Sequence, residues 1–168
     1  MPRRSVPDLA ALLRAAAKAR EHAWAPYSNF AVGAAVWAGG SIYVGCNVEN
    51  SAYPLSVCAE RNAIAAAVVA GNQRIEAVAI VGGSDKPSAP CGGCRQVMAE
   101  FCPAETPVLY YAAASGNSVE STVAALLPES FGARDLKAAA AESKGSSRDP
   151  VGKRRSAARL RGTRSSGR

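Results

Sequence analysis

Neither a membrane span nor a secretory signal is expected of this sequence. The longest stretch without a charged residue, His22 to Val48, contains Pro26, Asn29, Gly33, Gly39, Gly40 and Gly45, so it reads as strands and turns rather than a spanning helix. The basic N-terminus (Arg3, Arg4) leads into an apolar run cut by Arg14 and Lys18, which leaves no secretory h-region. Histidine is nearly absent: His22 is the only one, expected exposed on the first helix and away from any site. Cysteine is sparse and odd in number, five at loose spacing. Without a secretory signal, thiols of this kind are expected to be reduced or to ligate metal, and the cytoplasm is the expected compartment.

What is present is enough for one domain. The chain has 168 residues, 48% of them hydrophobic and 20% charged, so a real core can be buried. Its net charge of +7 would ordinarily suggest a polyanionic partner. The charge is not spread evenly. Residues 1–141 hold 11 Lys/Arg and 11 Asp/Glu, whereas residues 142–168 hold 9 and 2. The body is therefore neutral, and the excess lies in a Ser-, Gly- and Arg-rich tail without apolar periodicity, expected to be disordered. We therefore expect a body at 1–141 and a separate basic tail at 142–168.

Within the body, a capping-box spacing from Ser5 to Asp8 and apolar residues at Leu9, Leu12, Leu13 and Ala16 predict a helix to about Glu21. Phe30 to Trp37 and Ile42 to Glu49 predict two strands joined at Gly39-Gly40. Ser56 is expected to cap a second helix that stops at Gly71. Ala77 to Val81 and Val108 to Tyr111 predict buried strands on either side of a third helix between Pro90 and Pro103, and Val119 to Val123 predicts a weaker strand. From Leu126 an irregular segment is expected to end near Leu136. This order predicts an α/β class, layered around one sheet.

Three cysteines carry chemistry. Cys91 and Cys94 form a Cys-x-x-Cys pair, which alone is equally a metal or a redox unit. Cys58 and Glu60 form a Cys-x-Glu at the start of an independent helix. Both elements fall in predicted first helical turns, where unpaired N–H groups and the helix dipole favour thiolates. A single intervening strand lets the two helices lie side by side with their starts at one edge. Three protein ligands leave a tetrahedral zinc one open position, as in catalytic sites. Three thiolates would make that centre net negative, and Arg61 and Arg95, each next to a ligand, are the candidates to balance it. Glu60 is placed to take a proton from water.

These residues resemble the cytidine deaminase family, zinc hydrolases of free nucleosides, in the variant with Cys at the first position of the H-x-E signature ahead of P-C-x-x-C. The likeness extends to Pro26-Tyr27-Ser28-Asn29-Phe30, Gly45-Cys46-Asn47-Val48-Glu49-Asn50, Cys91-Gly92-Gly93-Cys94-Arg95-Gln96 and Leu126-Leu127-Pro128-Glu129-Ser130-Phe131, covering about residues 8–136. The resemblance implies a three-layer α/β/α sandwich with a mixed sheet. It implies one Zn²⁺ per subunit on Cys58, Cys91 and Cys94, with Glu60 moving protons to N3 and to the leaving amino group. Cytidine and deoxycytidine would become uridine and deoxyuridine in pyrimidine salvage. It further implies Asn47 and Glu49 on the ribose, Phe30 as a wall for the base and the Ala59 N–H on the base carbonyl. Tyr53 and Phe131 would reach a neighbouring subunit's site in a homotetramer. Ser51-Ala52-Tyr53-Pro54 departs from the usual Ala-Ser-Tyr-Gly at that presumed subunit edge.

Plainer readings exist for some of these residues: a solvated strand edge for Asn47 and Glu49, ordinary core for Phe30, ordinary packing for Phe131. Cys46 and Cys102 are expected to be inert buried thiols. Competing functions are deamination of an aminonucleoside antibiotic resembling blasticidin S, a zinc scaffold without activity, and a nucleic-acid binder or editor acting through the tail. The tail has no aromatic residue on which a base could stack. Nucleic acid is therefore expected only as a non-specific contact, and no membrane partner is expected.

Overall fold

The computed structural model describes residues 8–145. Ser5 of the expected capping box and residues 146–168 of the expected basic tail lie outside the described residues. Helix α1 spans Leu9–Arg20 and buries Leu12, Ala16 and Ala19, one stripe at helical spacing. Asp8 is itself the N-cap, its carboxylate accepting from the Ala10 N–H at 3.0 Å. The cap is therefore one residue from the helix, not the far partner of a box begun at Ser5.

Strands β1 (Val32–Ala38) and β2 (Ser41–Cys46) form a hairpin whose two-residue turn is Gly39-Gly40, with φ of 57° and 83°. Both turn residues are left-handed, which a tight hairpin turn demands and glycine supplies. β2 ends earlier than Glu49, although Val48 still pairs singly with Trp24 and Val57. A turn of 3-10 helix, Tyr53–Leu55, leads to α2 (Ala59–Val69). The N-cap of α2 is Cys58, without a side-chain cap bond, and not Ser56. The Ser56 hydroxyl is used upstream, accepting from the Asn50 N–H at 3.0 Å.

Next come β3 (Ala77–Gly82), α3 (Gly92–Phe101), β4 (Pro107–Ala112), β5 (Ser118–Thr122) and the single turn α4 (Val123–Leu126). The strands form one mixed sheet in the order β2-β1-β3-β4-β5, with β3 and β4 parallel and every other neighbouring pair antiparallel. β3 is buried along its whole length, so its two faces build two cores. Val78 and Ile80 pack with Ile64 of α2 and Met98 of α3. Ala77, Ala79 and Val81 pack with Leu12 and Ala16 of α1. The result is the expected three-layer α/β/α sandwich.

Close helix-to-sheet approach is set by glycine. A Cβ on Gly33 would lie 2.0 Å from the Ala16 carbonyl oxygen, and one on Gly45 would lie 2.5 Å from the Ala63 nitrogen. α1 and α2 thus rest directly on β1 and β2, and the start of α2 is held in place by that contact.

The compact unit ends at Gly132. A separate unit follows, and its described element is α5 (Ala133–Gly145). This corrects the expectation of irregular chain to Leu136, and the boundary expected after residue 141 falls inside a helix. The reason is that α5 is exposed at every described position from Ala133 to Ala141. Such a helix rests on the intrinsic propensity of its alanines, Glu and Lys, and it has no apolar stripe to betray it.

Candidate metal centre and nucleoside cavity

β1 runs antiparallel to β3, so Val32 at the start of β1 is paired with Gly82 at the end of β3. α2 leads into β3 and α3 follows it, which brings both helix N-termini to this same edge. Cys58 and Cys91 are the two N-caps, in matching extended conformations, and neither helix has a side-chain cap. Cys94 lies in the first turn of α3 and is fully buried. The three sulfurs converge: Cys58 and Cys91 Sγ are 3.8 Å apart, Cys91 and Cys94 Sγ 3.5 Å, and all lie within 4.8 Å of one another.

The electrostatics favour an anionic cluster. The thiol of Cys94 beside it, followed by Cys91 and the positive charge of Arg61, draws the Cys58 pKa down to about 5 against the cost of burial. Cys94 moves the other way: its donation to Cys58, then burial and the Glu60 carboxylate, push its thiol up. Cys58 thus holds charge while Cys94 holds its proton, and a metal must displace that proton to bind. The set fits zinc: three soft donors from two helix starts, next to a cation. Arg61 donates from Nη2 to the Ser56 carbonyl at 2.9 Å, while its Nε is buried without an acceptor among the described residues. An orphaned donor of that kind suits a cluster that stays anionic with zinc bound, because three thiolates and Zn²⁺ leave a net negative charge. Arg95 is directed elsewhere. Its guanidinium donates to the Pro90 carbonyl at 2.8 Å and to the Leu126 carbonyl at 3.0 Å, tying α3 to the turn before it and to α4.

Beside the sulfurs is a cavity of about 180 Å³, lined by Phe30, Asn47, Cys58, Ala59, Glu60 and Cys91 from among the expected residues. Glu60, on the second residue of α2, is only 5% exposed, and burial is the main cause that raises its carboxyl above the ordinary range. Ala59, the first residue of α2, has an N–H that the helix geometry leaves free. Phe30 closes one side, and its ring tip would lie 3.5 Å from a Cβ on Gly82.

Asn47 faces the cavity and also clamps its wall. Its Oδ1 accepts from the Val32 N–H at 2.8 Å and its Nδ2 donates to the Phe30 carbonyl at 2.9 Å, which leaves one amide hydrogen for a ligand. Glu49 stands off the cavity lining. Its carboxylate accepts from the Tyr27 N–H at 2.9 Å, the Ser28 N–H at 3.2 Å and the Ser28 hydroxyl, and the hydroxyl bond is the main cause that lowers its pKa. Tyr53 and Phe131 are also outside the lining, 67% and 60% exposed. Tyr53 packs edge-on against Tyr27 at 5.8 Å, and the Phe131 carbonyl accepts from Gln96 Nε2 at 2.7 Å. His22 is exposed, as expected. Cys102 is buried and its thiol is pushed up to about 12, whereas Cys46 is only half-buried, its Sγ 3.4 Å from the His22 carbonyl.

Sequence reasoning missed Val32, Ile80, Gly82, Ser88 and Ala89 as lining residues. Val32 and Ile80 carried only a strand signal, which reads as core. Ser88 and Ala89 carried no signal beyond preceding Pro90-Cys91. Among the described residues, no helix is long and apolar enough to cross a membrane.

Comparison with known proteins places this geometry. Residues 7–110 match the model of the cytidine and deoxycytidylate deaminase zinc-binding region. The cytidine deaminase of Sporosarcina psychrophila is 49% identical over 134 residues, 79% of this chain and 98% of that one. The cytidine deaminase of Halalkalibacterium halodurans is 46% identical, over 77% of this chain and 98% of that one. Among solved structures, the cytidine deaminase from Burkholderia pseudomallei superposes with a TM-score of 0.70 at 45% identity, covering 73% of this chain and 98% of that one. That from Mycobacterium tuberculosis superposes at 0.66 and 37%, covering 76% and 99%.

Proposed function

The chain belongs to the zinc-binding cytidine and deoxycytidylate deaminase family, and from that premise we propose that it hydrolyses cytidine and deoxycytidine to uridine and deoxyuridine with release of ammonia. The observation that carries this reading is a buried carboxyl, Glu60, on the wall of a small cavity that also holds two of three converging cysteine sulfurs. Cys58, Cys91 and Cys94 would hold the zinc. When bound, zinc supplies a Lewis acid that makes water nucleophilic near neutral pH.

The rest of the chemistry belongs to the chain. A carboxyl serves as both base and acid best when its pKa is near the working pH, and burial moves Glu60 in that direction. Glu60 takes a proton from the attacking water and delivers it to N3 of the pyrimidine; it then takes the remaining proton from the hydroxyl now on C4 and passes it to the amino group, so that the C4–N bond breaks, ammonia leaves and the C4 carbonyl forms. The Ala59 N–H binds the base carbonyl, and Phe30 and Val32 cover the ring and keep bulk water from it. Asn47 offers its remaining amide hydrogen to the ribose, and Glu49 accepts from a ribose hydroxyl at the cavity rim. The balance of 11 Lys/Arg and 11 Asp/Glu over residues 1–141 suits an uncharged nucleoside.

We further infer a homotetramer in which Tyr53 and Phe131 complete a neighbouring subunit's cavity. Their exposure, together with that of Trp24, Tyr27 and Leu55, supports this, because exposed aromatic and leucine side chains favour burial against a partner. The setting would be pyrimidine salvage in the cytoplasm. The test is a panel of cytidine, deoxycytidine and blasticidin S with zinc-loaded protein, measured by loss of cytosine absorbance and by ammonia, alongside the mass in solution. Turnover of both pyrimidine nucleosides with one ammonia each is expected. Zinc-loaded protein inert on both overturns the reading.

A further inference from the structure

Of the two wall residues, Val32 opens β1 and Phe30 lies on the stretch of chain before it, which the sheet does not hold. β1 begins only at Val32, and Asn29 just before it is a non-glycine residue at φ 55°. Side chains hold this stretch instead. Ser28 Oγ accepts from the Phe30 N–H at 3.0 Å, and Asn47 takes the Phe30 carbonyl and the Val32 N–H. The Ala31 carbonyl accepts from Arg20 Nε at 3.1 Å. Arg20 is the last residue of α1, in the layer on the other side of the sheet from the cysteines.

The Ala31 carbonyl and the Val32 N–H belong to one peptide unit. Arg20 and Asn47 therefore grip the same rigid plane from its two sides, and that plane lies between the two wall residues, carrying Val32 directly and Phe30 through Ala31. Arg20 is braced in turn. A Cβ on Gly83 would lie 2.7 Å from one of its terminal guanidinium nitrogens. Gly83 directly follows Gly82, the residue against which the Phe30 ring sits.

We propose that Arg20 is a positioning residue for substrate binding: by holding the Ala31–Val32 peptide against Asn47 it sets the Phe30 and Val32 wall of the cavity. This rests on the nucleoside reading above. Arg20 touches neither the cysteines nor Glu60, so its loss weakens binding of the base without altering proton transfer. The absence of a side chain at Gly83 is what leaves room for the guanidinium.

The experiment compares Arg20→Met, Arg20→Lys and Gly83→Ala with the wild-type protein, each zinc-loaded, for KM and kcat on cytidine, calorimetric Kd for uridine, and zinc per chain. Arg20→Met should raise KM and the uridine Kd together about tenfold, with kcat within about twofold and zinc unchanged, the size expected for one lost charge-assisted bond. Arg20→Lys should recover part of the loss, because an ammonium can still donate to the Ala31 carbonyl. Gly83→Ala should reproduce the Arg20→Met shift by displacing the guanidinium, and it gives a reading even if Arg20→Met folds poorly. A merely structural role would lower active, zinc-loaded protein and leave KM and Kd where they were. KM and uridine Kd within twofold of wild type in both Arg20→Met and Gly83→Ala overturn the assignment while the deaminase reading stands. A wild-type protein that leaves cytidine untouched overturns both.

Discussion

Replacing Asn47 with alanine separates two jobs that sequence alone merges into one. Its side chain makes two bonds to the cavity wall, at 2.8 Å and 2.9 Å, before any substrate arrives. Each such bond contributes about 1 kcal/mol net, so Asn47→Ala should cost about 2 kcal/mol of stability without ligand. For a domain of this size that is a fall in Tm of about 4–8 °C. The same variant should raise KM for cytidine at least tenfold, because tenfold corresponds to only about 1.4 kcal/mol and the wall loosens as the ribose contact disappears. Asn47→Asp is the informative partner. It keeps an acceptor for the Val32 N–H, sets an anion against the Phe30 carbonyl, and should not restore wild-type KM. The assay is thermal unfolding at fixed protein and zinc concentration, with KM measured on the same samples, since ligand and assembly both move Tm. A large rise in KM with Tm unchanged would refute the clamp and leave Asn47 as a ribose contact alone.

Gly45→Ala should be destabilising by about 1–3 kcal/mol, because its Cβ would fall 2.5 Å from the Ala63 nitrogen and 2.6 Å from the Ala59 carbonyl and so push α2 off the sheet. Metal analysis should find zinc per chain reduced as the start of that helix shifts, and full occupancy would argue against the close-approach account. The Ser28 hydroxyl holds the Glu49 pKa below its ordinary value, so the carboxylate persists as pH falls until the pH passes through that lowered value. Ser28→Ala should therefore shift the acid-side rise in KM to higher pH, and an unmoved profile would separate Glu49 from ribose binding. Cys102, with its thiol pushed up to about 12, should resist alkylation in the native protein near neutral pH; rapid labelling would contradict its burial.

The site was legible in sequence where chemistry demands particular residue types at short spacing. Cys58 with Glu60, and Cys91 with Cys94, each lie within one helical turn, so their convergence needed only two helix starts at one sheet edge. β3 was legible because a strand buried on both faces is apolar throughout. The cap of α2 was misread at Ser56 because its hydroxyl bonds Asn50, two structural steps away, and nothing local signals that. α5 went unseen because a helix exposed at every described position from Ala133 to Ala141 shows no apolar period. The roles of Arg20 and Arg95 were hidden for a third reason. Adjacency to a ligand in sequence pointed to Arg95, yet its guanidinium points to carbonyls, while Arg20 reaches the cavity wall from a helix far from every motif.

The central claim is that a buried carboxyl at Glu60 moves the protons of a zinc-dependent deamination. Single-turnover and steady-state deamination of cytidine by Glu60→Gln, with zinc per chain measured on the same preparation, tests it most directly. Glutamine keeps the size and the hydrogen-bonding face but cannot exchange a proton, so kcat should fall by at least about 10²-fold while zinc stays at the wild-type level. Near-normal turnover by the zinc-loaded variant would contradict the account.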